Sequence, residues 1–154
     1  MNPNGHRIVA VSIILFGSTC MRLASPSLDE VLEEFATQNH RSYAASCQCF
    51  ELIGDSDYMS EQECRDVAGS VDDEDLACIE DVLAKITQDQ DEAVALMECY
   101  NTAVREGADC LETNIGVCSS DTFGVCVESR RQAIDSCDAG YPEDDLETLW
   151  YCRF

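Results

Sequence analysis

Two pairs of cysteines with the same spacing constrain this chain more than any other feature of its sequence. Cys99 and Cys110 lie eleven positions apart, and so do Cys126 and Cys137. Eleven residues at about 100° each make three turns plus about 20°, so the cysteines of a pair share one helix face, about 16 Å apart. Facing positions on two antiparallel helices come within disulfide reach. The spacing therefore predicts a helical hairpin across the Leu111–Phe123 connection, with disulfides Cys99–Cys137 and Cys110–Cys126.

The remaining cysteines complete an even set. The chain has 11 cysteines, and removing or lipidating Cys20 leaves ten, which can form five disulfides. Disulfides form in oxidising compartments, so this count favours an exported protein. The spacing leaves open the pairing of the cysteines outside the two hairpin pairs, which are Cys47, Cys49, Cys64, Cys78, Cys118 and Cys152.

Cys47 and Cys49 are separated by a single residue. Side chains two positions apart in a helix point about 200° from each other, so these two cannot bond without unwinding. A redox motif would also need a neighbouring cation that lowers a thiol pKa, and the sequence offers none here. We therefore expect each of them to bond a different neighbouring element.

The first twenty residues have the organisation of an export signal. Arg7 supplies a positive charge, Ile8–Phe16 form an apolar run, and Gly17–Cys20 form a small-residue cleavage region. The apolar run is about half as long as the roughly twenty residues that cross a bilayer as a helix. We therefore predict that residues 1–20 are a cleaved signal peptide and that residues 21–154 form a single disulfide-rich helical domain.

Two processing routes fit the end of this segment. Ser18 and Cys20 place small residues at the third and first positions before Met21, as ordinary signal peptidase prefers. The alternative is cleavage before Cys20 with lipid attached to its thiol. Gly17 and Thr19 are a poor match to the sequence that this route requires before the cysteine. The predicted location is secreted or periplasmic, with lipid anchoring at Cys20 as the alternative. Without that lipid, we expect no membrane insertion of the mature domain.

Capping residues and the spacing of apolar side chains divide the domain into helices. Ser27 with Glu30, and Ser60 with Glu63, form the hydroxyl–carboxylate pattern of a capping box. Apolar residues recur at helical spacing, and no segment alternates as a half-buried strand does. The predicted fold class is all-α, a bundle of five to six short-to-medium helices stapled by disulfides. The predicted helices are 28–51, a short one carrying Cys64, one beginning within Ser70–Asp75 and reaching Ile86, one from Asp89 or Asp91 to Leu111 or beyond, one from Ser119–Asp121 to Cys137, and a short one ending at Cys152.

The charge of the chain is strongly negative. Aspartate and glutamate number 31 against 9 lysine and arginine residues, a formal net charge of −22. Such a surface repels phosphates and anionic headgroups, so we predict no nucleic-acid partner. The charge favours solubility and an unknown protein partner that is cationic, and the alternative is a solvated surface without a partner.

Catalytic and metal-binding patterns are weak in this sequence. His40 is the single histidine after residue 20, and no C-x-x-C pair or nucleophile-elbow pattern accompanies it. Asp55 and Asp57 match two positions of a calcium-binding loop, but Ser60 stands where that loop needs glycine. The acidic runs precede predicted helices, where the helix dipole favours them. We therefore predict no catalytic residue, no metal site and no cofactor.

Short motifs in the domain resemble those of one known group of proteins. They are C-x-C-F at Cys47–Phe50, S-E-x-E-C at Ser60–Cys64, C-I-E at Cys78–Glu80, A-L-x-x-C at Ala95–Cys99, C-L at Cys110–Leu111 and a closing Cys152. In this pattern the chain resembles the uncharacterised, cysteine-rich helical proteins, secreted or lipid-anchored, of some Gram-negative bacteria. The resemblance implies no activity. Insect odorant-binding proteins are similar in size, acidity and helical character, but their C-x-x-x-C element is missing here.

These observations predict a non-catalytic extracytoplasmic protein, not an enzyme, that acts as a structural or interaction module. The alternative is a carrier of a small apolar ligand with a pocket between helices. The side chains that could line such a pocket, or fill the core as apolar side chains more often do, are Phe35, Tyr43, Met97, Tyr100, Phe123 and Trp150.

Overall fold

The structure, a computed structural model, describes residues 25–53, 60–67, 71–114 and 118–152. These ranges contain six α-helices and no strand, which confirms the predicted all-α, disulfide-linked bundle. No described helix is long and apolar enough to span a membrane. The predicted signal peptide (residues 1–20) and the Asp55–Asp57 pattern lie outside the described ranges. The helices are α1 (Leu28–Ser46), α2 (Glu61–Val67), α3 (Asp73–Ile86), α4 (Gln90–Asn114), α5 (Ser120–Cys137) and α6 (Glu143–Tyr151), and a 3₁₀ segment (Cys47–Leu52) follows α1.

Local signals fix several helix ends. Ser27 and Asp72 form complete capping boxes, each with the acidic residue three positions later. Ser119 begins α5 by accepting the backbone N–H of Thr122 at 3.2 Å. Each cap replaces a hydrogen bond that the first turn of a helix lacks. After α5 the chain turns at Gly140, whose φ of 113° is a conformation that favours glycine.

The predicted continuous helix 28–51 is wrong in its last turn. The α-helix ends at Ser46, and the 3₁₀ segment that follows contains a non-helical residue, Cys49, with φ −116° and ψ 40°. A straight helix would point Cys47 and Cys49 to nearly opposite sides. With the helix unwound, Cys47 bonds α2 and Cys49 bonds the segment before α5. The prediction that these two cysteines reach different elements is confirmed.

Helices α1, α4 and α5 form the central bundle. Helix α1 runs in the same direction as α4, because Val31 contacts Asn101 near one end and Arg41 contacts Glu112 near the other. Helix α5 runs antiparallel to α4, because Cys99 of α4 bonds Cys137 at the end of α5, whereas Cys110, further along α4, bonds the earlier Cys126. This is the predicted hairpin, and α1 packs against it.

The main core lies among α1, α3, α4 and α6, with a few residues from α5. Its fully buried large side chains are Phe35, Ile79, Leu83, Met97, Tyr100 and Leu149. A second, smaller cluster surrounds the Cys110–Cys126 disulfide at the other end of the hairpin. Helix α6 packs against α3 and adds Leu149 to the main core.

Candidate functional site

The ten cysteines of the described residues form five disulfides. Two of these are the hairpin pairs that the spacing predicts, Cys99–Cys137 and Cys110–Cys126, with Cα–Cα separations of 5.8 and 5.6 Å. The pairs that the spacing left open are Cys47–Cys64, Cys49–Cys118 and Cys78–Cys152. In this oxidised state every one of these cysteines is a cross-link between elements of the fold.

The disulfides differ in their exposure. Cys47 and its partner in α2 are both fully buried. Cys78, Cys99 and Cys118 are exposed, whereas the residue that each of them bonds is buried. The exposed Cys99 places a disulfide on the outer surface of the α4–α5 hairpin.

His40, the residue on which histidine catalysis would depend, lies exposed on α1. Within the described ranges, no three His, Cys, Asp or Glu side chains are grouped so that they could hold a metal ion.

Most arginines of the described residues are paired with carboxylates of the chain itself. Arg41 of α1 lies 2.6 Å from Asp109 of α4, and Arg105 of α4 pairs with a glutamate of α1. Arg65 and Arg131 pair with acidic residues one turn away in their own helices. Much of the basic charge is therefore neutralised within the molecule, which leaves a large excess of carboxylates.

The surface pairs shift the pKa values of their members. Hydrogen bonds from Arg131 and Gln132 lower the pKa of Glu128 to about 2. Hydrogen bonds to Glu112 and Asp109 raise the pKa of Arg41 above its ordinary value. Because these groups are exposed, solvent screens the pairs and each stabilises the fold little.

Arg130 of α5 is held differently. Its guanidinium donates a hydrogen bond of 2.7 Å to the hydroxyl of buried Ser42 and lies 5.9 Å from the ring centroid of Tyr43, both on α1. Its aliphatic part packs against Gly107 of α4. A single side chain thus contacts all three helices of the central bundle.

A cleft of about 620 Å³ opens between the end of α5 and helix α6. We call it the acidic cleft, because four of its six lining residues are carboxylates. Its apolar members are Leu146 and Trp150, and the Trp150 ring meets Tyr100 edge-on at a centroid distance of 6.4 Å. The lining residues are Asp138, Glu143, Asp144, Leu146, Glu147 and Trp150.

Asp138 has an unusual environment at the edge of this cleft. It is the C-cap of α5, where the helix dipole disfavours a negative charge. Burial raises its pKa above the ordinary value, the hydrogen bond from Tyr100 opposes that shift, and nearby Asp135 adds to it. Burial and the same hydrogen bond raise the pKa of Tyr100. The fold therefore disfavours the ionised form of Asp138.

A second concave surface of about 400 Å³ runs along the outside of the hairpin, between α4 and α5. We call it the hairpin groove. Its floor consists of small side chains and the exposed Cys99–Cys137 disulfide, and its rim on α4 is polar and acidic. The lining residues are Ala95, Glu98, Cys99, Thr102, Ala103, Glu106, Ala133 and Cys137.

Neither surface is predicted from the sequence. The run from Glu143 to Asp145 follows Pro142 and is expected as the acidic first turn of a helix, which it also is. Its part in a cleft depends on where α6, which packs against α3, lies relative to the end of α5. The groove could have been suspected from alanine and cysteine recurring every four residues from Ala95 to Ala103.

The side chains proposed to line a ligand pocket occupy different environments. Phe35, Met97 and Tyr100 are fully buried in the main core. Trp150 packs against that core from the acidic cleft, and Phe123 packs against the smaller cluster. Five of the six therefore pack in or against the two cores, and the two surfaces described above open to solvent.

No protein-family model, curated protein or solved structure matches this chain.

Proposed function

We propose that this protein is a non-catalytic interaction module that acts outside the cytoplasm, secreted or periplasmic, and binds a cationic protein partner. The observation that carries this proposal is the distribution of charge. Most arginines of the described residues are paired within the chain. By contrast, the carboxylates of the acidic cleft and of the hairpin-groove rim have no ion-pair partner among the described residues. A surface of this kind attracts cationic proteins and speeds their association.

The five disulfides support the extracytoplasmic part of the proposal. Disulfides persist in secreted and periplasmic proteins and are rare where thiols are kept reduced. In this fold they cross-link α2, α3, α4 and α5, the 3₁₀ segment that follows α1, and the end of α6. A reducing compartment would remove these cross-links, so the fold fits an oxidising environment.

Zero-length cross-linking of the protein in its native source tests the partner. A carbodiimide joins carboxylates to lysine amines that are in direct contact, and mass spectrometry locates the joined residues. We expect cross-links from acidic residues of the cleft or the groove to lysines of one partner protein. These links should disappear at about 1 M salt, where the Debye length falls to about 3 Å.

Recovery of the protein without intermolecular cross-links, under conditions that label its carboxylates, would contradict the proposal. Native mass spectrometry of the same material separates the alternative: a small apolar molecule bound to the protein in place of a protein partner would favour the carrier. The intact mass also distinguishes release after residue 20 from lipid attachment at Cys20.

A further inference from the structure

The outer face of α4 carries two parallel rows of side chains. Residues four apart in a helix lie nearly in line, so such a row forms a ridge when its side chains are large and a depression when they are small. The depression continues to α5, where two more small residues close it. The higher row is Glu98, Thr102 and Glu106, the lower row is Ala95, Cys99 and Ala103, and the α5 side is Ala133 and Cys137.

We infer that the hairpin groove docks an amphipathic, basic helix of a partner protein. Residues four apart form a ridge on a helix, and this ridge fits into the groove between two such ridges on a second helix. This is the commonest packing of helices in globular proteins. From Ala95 to Glu106 the groove extends about 16 Å, which matches a docked helix of about three turns. This inference rests on the proposed function and specifies its partner.

The rim of the groove determines the charge of the docked helix. Glu98 and Glu106 are exposed and lie about 12 Å apart along the axis of α4. Arg105, the one cation of α4, pairs with Glu34 of α1 and also donates a hydrogen bond of 3.4 Å to Thr102 of the higher row, so it forms no ion pair with either glutamate of the rim. Arg or Lys side chains seven or eight residues apart on the docked helix would reach both glutamates, whereas an acidic helix would be repelled.

The hairpin groove has an apolar floor, whereas the acidic cleft does not. The cleft is lined mostly by carboxylates, so it provides charge but little apolar surface to remove from water. The groove combines an apolar floor with an acidic rim, and apolar burial supplies most of the favourable free energy of association. Because a helix of three turns covers less than the roughly 800 Å² per partner of a stable interface, the complex should be transient, with a Kd in the micromolar range or weaker.

Titration with designed peptides tests the inference on the oxidised protein. The probe is a helical peptide of about four turns, with leucine four residues apart on one face and arginine on both flanks. The control peptide has glutamate at every arginine position. We expect the arginine peptide to shift backbone amide NMR signals of residues 95–106 and 133–137, and the glutamate peptide to shift none.

Matched variants assign the site. Glu98→Gln with Glu106→Gln should weaken binding roughly three- to tenfold, the range for two exposed charge pairs. Ala95→Tyr should fill the floor and abolish binding, and because Ala95 is exposed its NMR spectrum should keep the native pattern. Glu143→Gln with Glu147→Gln, in the acidic cleft, should leave the affinity unchanged.

Three results would overturn the inference. The first is no binding at peptide concentrations up to about 1 mM, a free energy of about −4 kcal/mol. The second is equal binding of both peptides. The third is binding that responds to the cleft variant and not to the groove variant, and that result would leave the proposed cationic partner standing while moving its site to the cleft. If the native cross-linking fails but the arginine peptide binds in the groove, the proposed function is contradicted. The inference that the groove can dock a basic helix is then not contradicted.

Discussion

Arg130 shows how one residue can determine packing in a chain of this charge. In a protein with 31 acidic residues, its guanidinium bonds a serine hydroxyl and lies over a tyrosine ring. Its methylene groups cover apolar surface, as the stems of long charged side chains often do. The close approach to α4 is possible because residue 107 is glycine.

We therefore predict that Gly107→Ala destabilises the fold. An added Cβ would lie 2.8 to 3.0 Å from the Cδ, Cβ and Cγ atoms of Arg130, and overpacking of this kind typically costs about 1–3 kcal/mol. Gly124→Ala is the control, because a Cβ there meets nothing within 4 Å. At that exposed helical position alanine should stabilise by up to about 1 kcal/mol. Chemical denaturation measures both changes, and stabilisation by Gly107→Ala would contradict the described contact.

Asp138 is a second residue whose placement has a measurable consequence. Its pKa is raised in the folded protein, chiefly by burial, so the folded state binds a proton at this carboxyl more readily than the unfolded chain does. At pH values above the pKa that Asp138 has in the folded protein, the ionised carboxylate therefore destabilises the fold. This destabilisation is lost as the pH falls through that pKa towards the ordinary value of about 3.9.

Replacing Asp138 by Asn should raise the free energy of unfolding at pH 7 by about 0.3–1 kcal/mol, the usual effect of removing an unfavourable charge from a helix end. The amide can still accept the hydrogen bond from Tyr100. The gain should shrink as the pH is lowered, because wild-type Asp138 then becomes neutral as well. Glu128→Gln is the control: that residue is exposed, lies in the middle of α5 and pairs with Arg131, so its loss should stabilise nothing. Thermal unfolding at several pH values decides between these outcomes.

At the scale of elements, α6 is a short helix that depends on its cross-link. It has nine residues, and its N-cap, Pro142, makes no side-chain capping bond. Isolated helices of this length are not stable in water. The Cys78–Cys152 disulfide fastens its end to α3, and Leu146 and Leu149 are its buried side chains. Helix α6 therefore depends on tertiary contacts more than on its own sequence.

Replacing both Cys78 and Cys152 by Ala should release α6 before any other helix. The chain-entropy model gives a loss of about 4 kcal/mol for a loop of this length, since the sequence separation is 74. Removal of the Cys110–Cys126 bridge is the control, with a separation of 16 and an expected loss of about 3 kcal/mol. Hydrogen exchange should show lost protection confined to α6 in the first variant. A uniform loss across α1, α4 and α5 would argue against this dependence.

At the scale of the whole molecule, mutual repulsion of carboxylates opposes the compact state. The formal net charge is −22, and a net charge this far from zero destabilises a folded chain. The disulfides counter this effect, because they restrict the unfolded state however strongly the charges repel one another. A net charge of this size favours solubility, while the disulfides help to maintain the fold.

The excess of negative charge predicts that salt stabilises this protein. Raising NaCl from about 0.01 to 1 M shortens the Debye length from about 30 to 3 Å, which screens the excess carboxylates. The same salt weakens the surface arginine pairs, but exposed pairs contribute only about 0–1 kcal/mol each. We expect Tm to rise with NaCl and to rise equally with choline chloride, which has the same ionic strength without sodium. A fall in Tm would show that the ion pairs outweigh the repulsion.

The sequence by itself determines the features that depend on neighbouring residues. The caps Ser27, Asp72 and Ser119 and the apolar spacing between them place the helices, because both signals act within a turn or two. The pairing within the hairpin is also local in this sense. Eleven residues bring each cysteine pair onto one helix face, and two antiparallel helices then allow only one set of matches. The signal peptide, the single domain and the absence of catalysis stay predictions.

Only the tertiary structure decides how separate helices meet. The partners of Cys49 and Cys78 lie 69 and 74 residues away, and no spacing encodes contacts at that distance. The unwinding at Cys49 accompanies its bond to Cys118. The acidic cleft and the hairpin groove have the same origin. Each forms between elements whose relative position is set by packing of the whole core, so the sequence shows only one part of them, the small residues that recur every four positions from Ala95 to Ala103.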